Sequence, residues 1–132
     1  MQAEVPPKRI LVVDDNVDAA EALSQILQVS GYEVNVFNDP VTALHSLEYF
    51  LPDIAILDIG LPVMDGYELA VELRKLRGPV CRLIALTGYG QQADRSRSEQ
   101  VGFEAHLVKP VDIEKLLSLI AEDPQIDTIA ND

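Results

Sequence analysis

Asp53-Ile54-Ala55-Ile56-Leu57-Asp58 is four apolar residues closed between two acids. A run this short, rich in β-branched residues and lacking polar alternation, reads as a strand buried on both faces. The same pattern recurs on either side. Arg9-Ile10-Leu11-Val12-Val13-Asp14 also ends in acid, and Arg82-Leu83-Ile84-Ala85-Leu86-Thr87 ends in a hydroxyl. Ala105-His106-Leu107-Val108-Lys109 is short and ends in a cation, and Tyr32-Glu33-Val34-Asn35-Val36-Phe37 alternates. All five read as strands.

Helical patterns lie between them. Ala19, Leu23, Ile26 and Leu27 recur at helical spacing before Gly31. Asp39-Pro40 supplies a cap and a first-turn proline ahead of Val41, Leu44, Leu47 and Leu51. Asp65-Gly66 opens a third helix with Leu69, Leu73 and Leu76, stopped by Gly78-Pro79. Residues 91–101 form a polar, poorly buried helix. Asp112 caps a last one carrying Ile113, Leu116, Leu117 and Ile120. Five strands alternating with five helices predict an α/β fold, a doubly wound parallel sheet joined by right-handed crossovers.

The chain has 132 residues, which fits one domain over 8–121. Residues 1–7, with Pro6-Pro7, read as a leader or linker, and 122–132 as a short acidic tail. The single cysteine, Cys81, excludes an intramolecular disulfide and reads as a small core or edge residue. No apolar run approaches a membrane span and no secretory leader is evident. Of the net charge of −12, all is carried by residues 10–73, which hold twelve acids and no Lys or Arg. Such a surface repels phosphate backbones, so direct nucleic-acid binding is not expected. It leaves open a cation site, a basic partner, or solubility alone.

In an open parallel sheet, ligands bind beyond the carboxyl ends of the strands. Asp14, Asp15, Asp58, Thr87 and Lys109 all fall there. Three carboxylates in one crevice need a cation or raised pKa values to coexist. Hard oxygen ligands in that number suit Mg²⁺. With Thr87 and Lys109 they suit the oxygens of a phosphoryl group, and a carboxylate, Asp58 for choice, can itself be the nucleophile.

The motifs Val12-Val13-Asp14-Asp15-Asn16, Leu57-Asp58-Ile59-Gly60-Leu61-Pro62-Val63-Met64-Asp65-Gly66, Leu86-Thr87-Gly88 and Val108-Lys109-Pro110 resemble the receiver domain of two-component response regulators. The resemblance covers about 8–121. It implies a flavodoxin-like sheet of order 2-1-3-4-5. It implies phosphoryl transfer to Asp58 from a phosphohistidine on a sensor histidine kinase or histidine phosphotransfer domain. Asp14, Asp15, Asp58 and the Gly60 carbonyl would bind Mg²⁺. Gly60 and Gly88 would offer backbone to the phosphoryl group, Thr87 would move to it, Lys109 would pair with it, and the Lys109–Pro110 bond would be cis. A cytoplasmic, monomeric signalling module is implied, rather than a turnover enzyme. The Leu-Thr-Gly-Tyr-Gly-Gln run, 86–91, and the Asp-Ile-Gly-Leu-Pro run, 58–62, are similar in style to receivers attached to histidine kinases.

Two departures stand out. His106 occupies the place of the family's switching Tyr or Phe, which predicts weaker coupling to Thr87. Gly60 and Tyr89 stand at positions that tune hydrolysis; glycine offers no side chain to position an attacking water and Tyr89 would lie over the phosphoryl site, so slow self-dephosphorylation is expected, over minutes to hours. Taken singly, the site residues have plainer readings. Asp14 and Asp15 can cap a helix, Asp58 can start a turn, Thr87 can end a strand, Lys109 can be solvated, and Asp65 can be a cap beside a tight turn at Gly66. Two rival functions follow: an Asp-nucleophile phosphohydrolase of the haloacid dehalogenase type, which wants Asp where Asn16 stands, and an interaction module that is never phosphorylated.

Overall fold

The computed structural model describes residues 6–88 and 91–122. Strands β1 (Arg9–Val13), β2 (Glu33–Phe37), β3 (Ile54–Asp58), β4 (Arg82–Thr87) and β5 (Phe103–Val108) form one parallel sheet in the order β2-β1-β3-β4-β5. Helices α1 (Val17–Val29), α2 (Pro40–His45), α3 (Gly66–Arg77), α4 (Arg95–Val101) and α5 (Ile113–Ala121) alternate with them. The flavodoxin-like architecture and strand order are as expected.

Side chains alternate across the sheet, so each strand feeds two cores. Leu11, Val13, Ala55 and Leu57 pack with Leu69, Leu73 and Val101 of α3 and α4. Ile10, Val12, Ile54 and Ile56 pack with Leu23 and Leu27 of α1 and Leu116 and Ile120 of α5. Cys81 is buried in the first core, and burial pushes its thiol up to about 11. That pKa keeps it a packing residue.

The helices depart from expectation at their ends. The second stops at His45, followed by a 3-10 turn over Ser46–Glu48. The buried Ser46 hydroxyl donates to the Ala43 carbonyl and competes with the next helical turn. Leu51 therefore lies outside the helix and is exposed, as is Val41. The fourth helix begins at Arg95, not 91, because Asp94 caps it by accepting the Arg97 N–H. Leu76 is exposed in the last turn of α3 and Ile26 is partly so, which narrows both apolar stripes. Neither Asp14 nor Asp15 caps α1; Asn16 does, accepting the Ala19 N–H. Residues 1–5 and most of the acidic tail lie outside the described residues.

Candidate functional site

The sheet sets the site by register. Val13 is level with Leu57 across β1 and β3, so Asp14 and Asp58 emerge side by side one residue later. Lys109 follows β5, and its N–H donates to the Thr87 carbonyl at 2.8 Å. The Lys109–Pro110 peptide is cis, as expected. The parity that buries Ile10, Val12, Ile54, Ile56 and Leu107 against α1 and α5 continues to Asp14, Asp58 and Lys109. All three side chains therefore converge on one side of the sheet edge.

Lys109 Nζ bridges the two acids. It lies 2.9 Å from Asp14 Oδ2 and 3.0 Å from Asp58 Oδ2. Both acids are almost wholly buried, at 2% and 5% exposure. Asp14 Oδ1 accepts the Asn16 N–H, and Asp58 Oδ1 accepts the Gly60 N–H at 2.8 Å. Burial raises the Asp14 pKa, although the Asn16 N–H and Lys109 act against it. At Asp58 burial also raises the pKa, but the Gly60 N–H and Lys109 together outweigh it, and the carboxyl is held below its ordinary value. Burial disfavours the ammonium of Lys109, yet its bonds to both acids carry its pKa upward.

Asp15 is exposed and completes the cluster: among the described residues, Asp14, Asp15 and Asp58 each offer an oxygen within 4.8 Å of the others. Three hard oxygen donors and one ammonium leave the crevice with net negative charge. That donor set fits Mg²⁺, which takes few protein oxygens and keeps several waters.

Thr87 is buried at the end of β4, but the strand alternation turns it to the side of Leu83 and Ala85, and it makes no hydrogen bond to the carboxylates. His106 lies level with Ala85 and not beside Thr87. Its Nε2 is 2.6 Å from the Oγ of buried Ser98 on α4, and its ring is tilted against Phe103. His106 thus ties β5 to α4. Tyr89 lies outside the described residues.

The loop after β3 carries two features that sequence reading missed. Gly66 is more than a turn residue: a Cβ there would stand 2.6 Å from the Asp58 carbonyl oxygen and 2.6 Å from Ile59 Cα. Only glycine lets α3 start this close to the Asp58 backbone. Asp65 is a cap, in a reciprocal capping box with Glu68. Just before this cap, the Met64 N–H donates to the Pro62 carbonyl around Val63, whose φ is 72°. A β-branched residue in that conformation is strained. Gln91, also missed, reaches back to accept the Gly88 N–H through Oε1 at 2.8 Å. The Gly–x–x–Gln spacing was the only signal for it.

Comparisons with known proteins agree with this geometry. Residues 10–121 match the family model described as the response regulator receiver domain. A relative from Leptolyngbya boryana, an uncharacterized 14.6 kDa protein, is 39% identical over 114 residues, covering 86% of this chain and 87% of the relative. The transcriptional regulatory protein PrrA of Mycobacterium leprae is 34% identical over 122 residues, covering 91% of this chain but 51% of PrrA. The chain thus spans about half the length of that regulator. Among solved structures, a CheY-like receiver domain protein from Methanospirillum hungatei aligns with a TM-score of 0.79 at 37% identity, covering 86% of this chain and 90% of that one. Chemotaxis protein CheY4 of Vibrio cholerae aligns with a TM-score of 0.78 at 28% identity, covering 86% and 96%. With two buried acids on one lysine at the sheet edge, and a family match spanning nearly the whole described chain, this protein belongs to the response regulator receiver domain family.

Proposed function

We propose that the chain accepts a phosphoryl group on Asp58 from a phosphohistidine of a sensor kinase or histidine phosphotransfer domain, with Mg²⁺ bound. The observation that carries this reading is the bridge of Lys109 Nζ between Asp14 and Asp58 beside the exposed Asp15. Receiver domains are signalling phosphoacceptors and not turnover enzymes.

Asp58 is held ionised by the Gly60 N–H and Lys109, so it is a nucleophile without needing a base. One Asp58 oxygen bonds to phosphorus as the phosphorus–nitrogen bond breaks and the imidazole leaves. Lys109, anchored by two acids, balances charge on the phosphoryl oxygens. The backbone N–H groups of Gly60 and Gly88 are further donors, and the Thr87 hydroxyl joins them by turning at the end of β4. Asp14, Asp15, Asp58 and the Gly60 carbonyl would hold Mg²⁺, which when bound would supply positive charge for an anionic donor to approach anionic ligands. A movement of Thr87 opens space near Ala85 and His106, and the His106–Ser98 bond passes the change to α4.

Beside Lys109 is a cavity of about 190 Å³, lined by Ala22, Leu23 and Ile26 of α1 and by Val111 and Ile113. With Asp14 and Lys109 also in its lining, it offers an apolar seat to the partner that presents the phosphohistidine.

The test is incubation with a small phosphodonor, with and without Mg²⁺, read by intact mass and repeated with Asp58→Asn. One Mg²⁺-dependent, Asp58-dependent phosphoryl group is expected, decaying over minutes to hours. Turnover of a phosphoester would favour a hydrolase, and no modification in either case would leave only an interaction module.

A further inference from the structure

The space beside Asp58 is filled from an unexpected direction. Gln91 lies three residues beyond Gly88 and folds back onto it. Its backbone N–H donates to the Gly88 carbonyl at 3.0 Å, and its Oε1 accepts the Gly88 N–H at 2.8 Å. The other end of the same carboxamide points toward Gly60. A Cβ built on Gly60 would stand 2.9 Å from Gln91 Nε2 and 3.4 Å from Asp58 Oδ1. The carboxamide and the phosphoacceptor carboxylate therefore border one small volume. The φ of Gly60 is not in the left-handed region, so its backbone does not require glycine. A Cβ there would meet the movable end of the Gln91 side chain, and any residue larger than glycine would displace it.

We propose that Gln91 is a placeholder for the phosphoryl group. In the unmodified chain its carboxamide oxygen holds the Gly88 N–H. When the acyl phosphate forms, a phosphoryl oxygen takes that N–H and the side chain swings out to solvent, which its exposure allows. A neutral hydrogen bond is exchanged for one to an anion, and no bond other than hydrogen bonds is made or broken. Gln91 is thus a positioning residue that sets the affinity of the site, and Gly60 is its steric complement. This rests on the reading of Asp58 as the phosphoacceptor.

Beryllofluoride in the presence of Mg²⁺ mimics the bound phosphoryl group, and its titration, followed by amide resonances, tests the exchange. In the free protein, Gln91→Ala moves the Gly88 amide proton upfield, because its acceptor is gone. The same variant tightens beryllofluoride binding by about three- to tenfold, the value of one neutral hydrogen bond that no longer has to be broken. Gln91→Glu keeps an acceptor but adds an anion, and weakens binding instead. Gly60→Ala pushes the carboxamide away and tightens binding like Gln91→Ala, and the two together give little more than either alone. An unchanged or weaker affinity for Gln91→Ala, with wild type binding normally, overturns the placeholder alone. A wild type that binds no beryllofluoride in Mg²⁺ takes down the phosphoacceptor reading with it.

Discussion

Asp14→Asn is expected to stabilise the chain while damaging its site. Asp14 lies within 4.8 Å of both other carboxylates and 2.9 Å from Lys109 Nζ. At an effective dielectric of about 20, the repulsion from Asp58 is about 3.5 kcal/mol and the attraction to Lys109 about 6 kcal/mol. Asp15 is exposed, and its repulsion is screened to about 1 kcal/mol. The small attractive remainder does not match the several kcal/mol that burying a carboxylate costs. Asparagine avoids that cost and keeps an Oδ1 for the Asn16 N–H. Without Mg²⁺ near neutral pH, the variant should be more stable by about 1–2 kcal/mol, or about 3–6 °C in Tm. The gain should depend on pH in one direction. Burial raises the folded-state pKa of Asp14 above its ordinary 3.8. Wild type therefore takes up a proton in the folded state as pH falls through that raised value, and recovers stability relative to the variant. The gap should be closed below about pH 3.8. Mg²⁺ should act oppositely, stabilising wild type by about 1.4 kcal/mol at ten times its Kd and the variant by much less. Urea melts with and without Mg²⁺ decide the matter. A variant less stable than wild type by a kcal/mol in Mg²⁺-free buffer would show that the Lys109 bridge outweighs the burial of charge, and the reasoning would fail.

Three further outcomes are expected. Val63 is 97% exposed with φ 72°, so Val63→Gly loses no packing and releases backbone strain; urea melts should show a gain of about 1 kcal/mol. Gly66→Ala places a methyl against the Asp58 carbonyl and Ile59, and should cost about 2–3 kcal/mol and shift the Asp58 amide resonances. His106 has its pKa lowered by burial and by Arg95, so the folded state resists protonation and stability falls as pH drops through 6.5 toward the folded value. His106→Phe should flatten that fall, and equal slopes for the two proteins would count against it.

Strand identity was readable because a β1 or β3 that is buried on both faces must be apolar throughout, and the first polar residue then marks the sheet edge. Asp14, Asp58, Thr87 and Lys109 were visible for that reason. Helix lengths were less so. The Val41-to-Leu51 spacing is helical, but a serine hydroxyl bonding to the backbone ends α2, and periodicity does not register that competition. The start of α4 lies later than expected because residues 91–94 are mostly polar like the helix after them, and the Asp94 cap is what separates the two. Gly66, Val63 and Gln91 were missed for a common cause. Each matters through a contact or dihedral set by the loops, where sequence separation and spatial separation part company. Gly66 touches Asp58, and Gln91 reaches toward Gly60. Neither pair shares a strand or a helical face, so no period connects them.

The unmodified site leaves few of its groups without a partner. Lys109 holds Asp14 and Asp58, the Gly60 N–H holds Asp58 Oδ1, and the Gly88 N–H holds Gln91. Loading the site therefore exchanges hydrogen bonds and adds few, and affinity is a difference between two satisfied states. Such a difference is tuned most easily from the unloaded side. Weakening a placeholder such as Gln91 raises affinity without touching a group that contacts the phosphoryl oxygens, whereas adding a donor must find room in a crevice already filled. The acidity concentrated in residues 10–73 works the same way. Lys109 offsets only part of the charge on Asp14, Asp15 and Asp58, so under the proposed function a divalent cation would relieve the remainder.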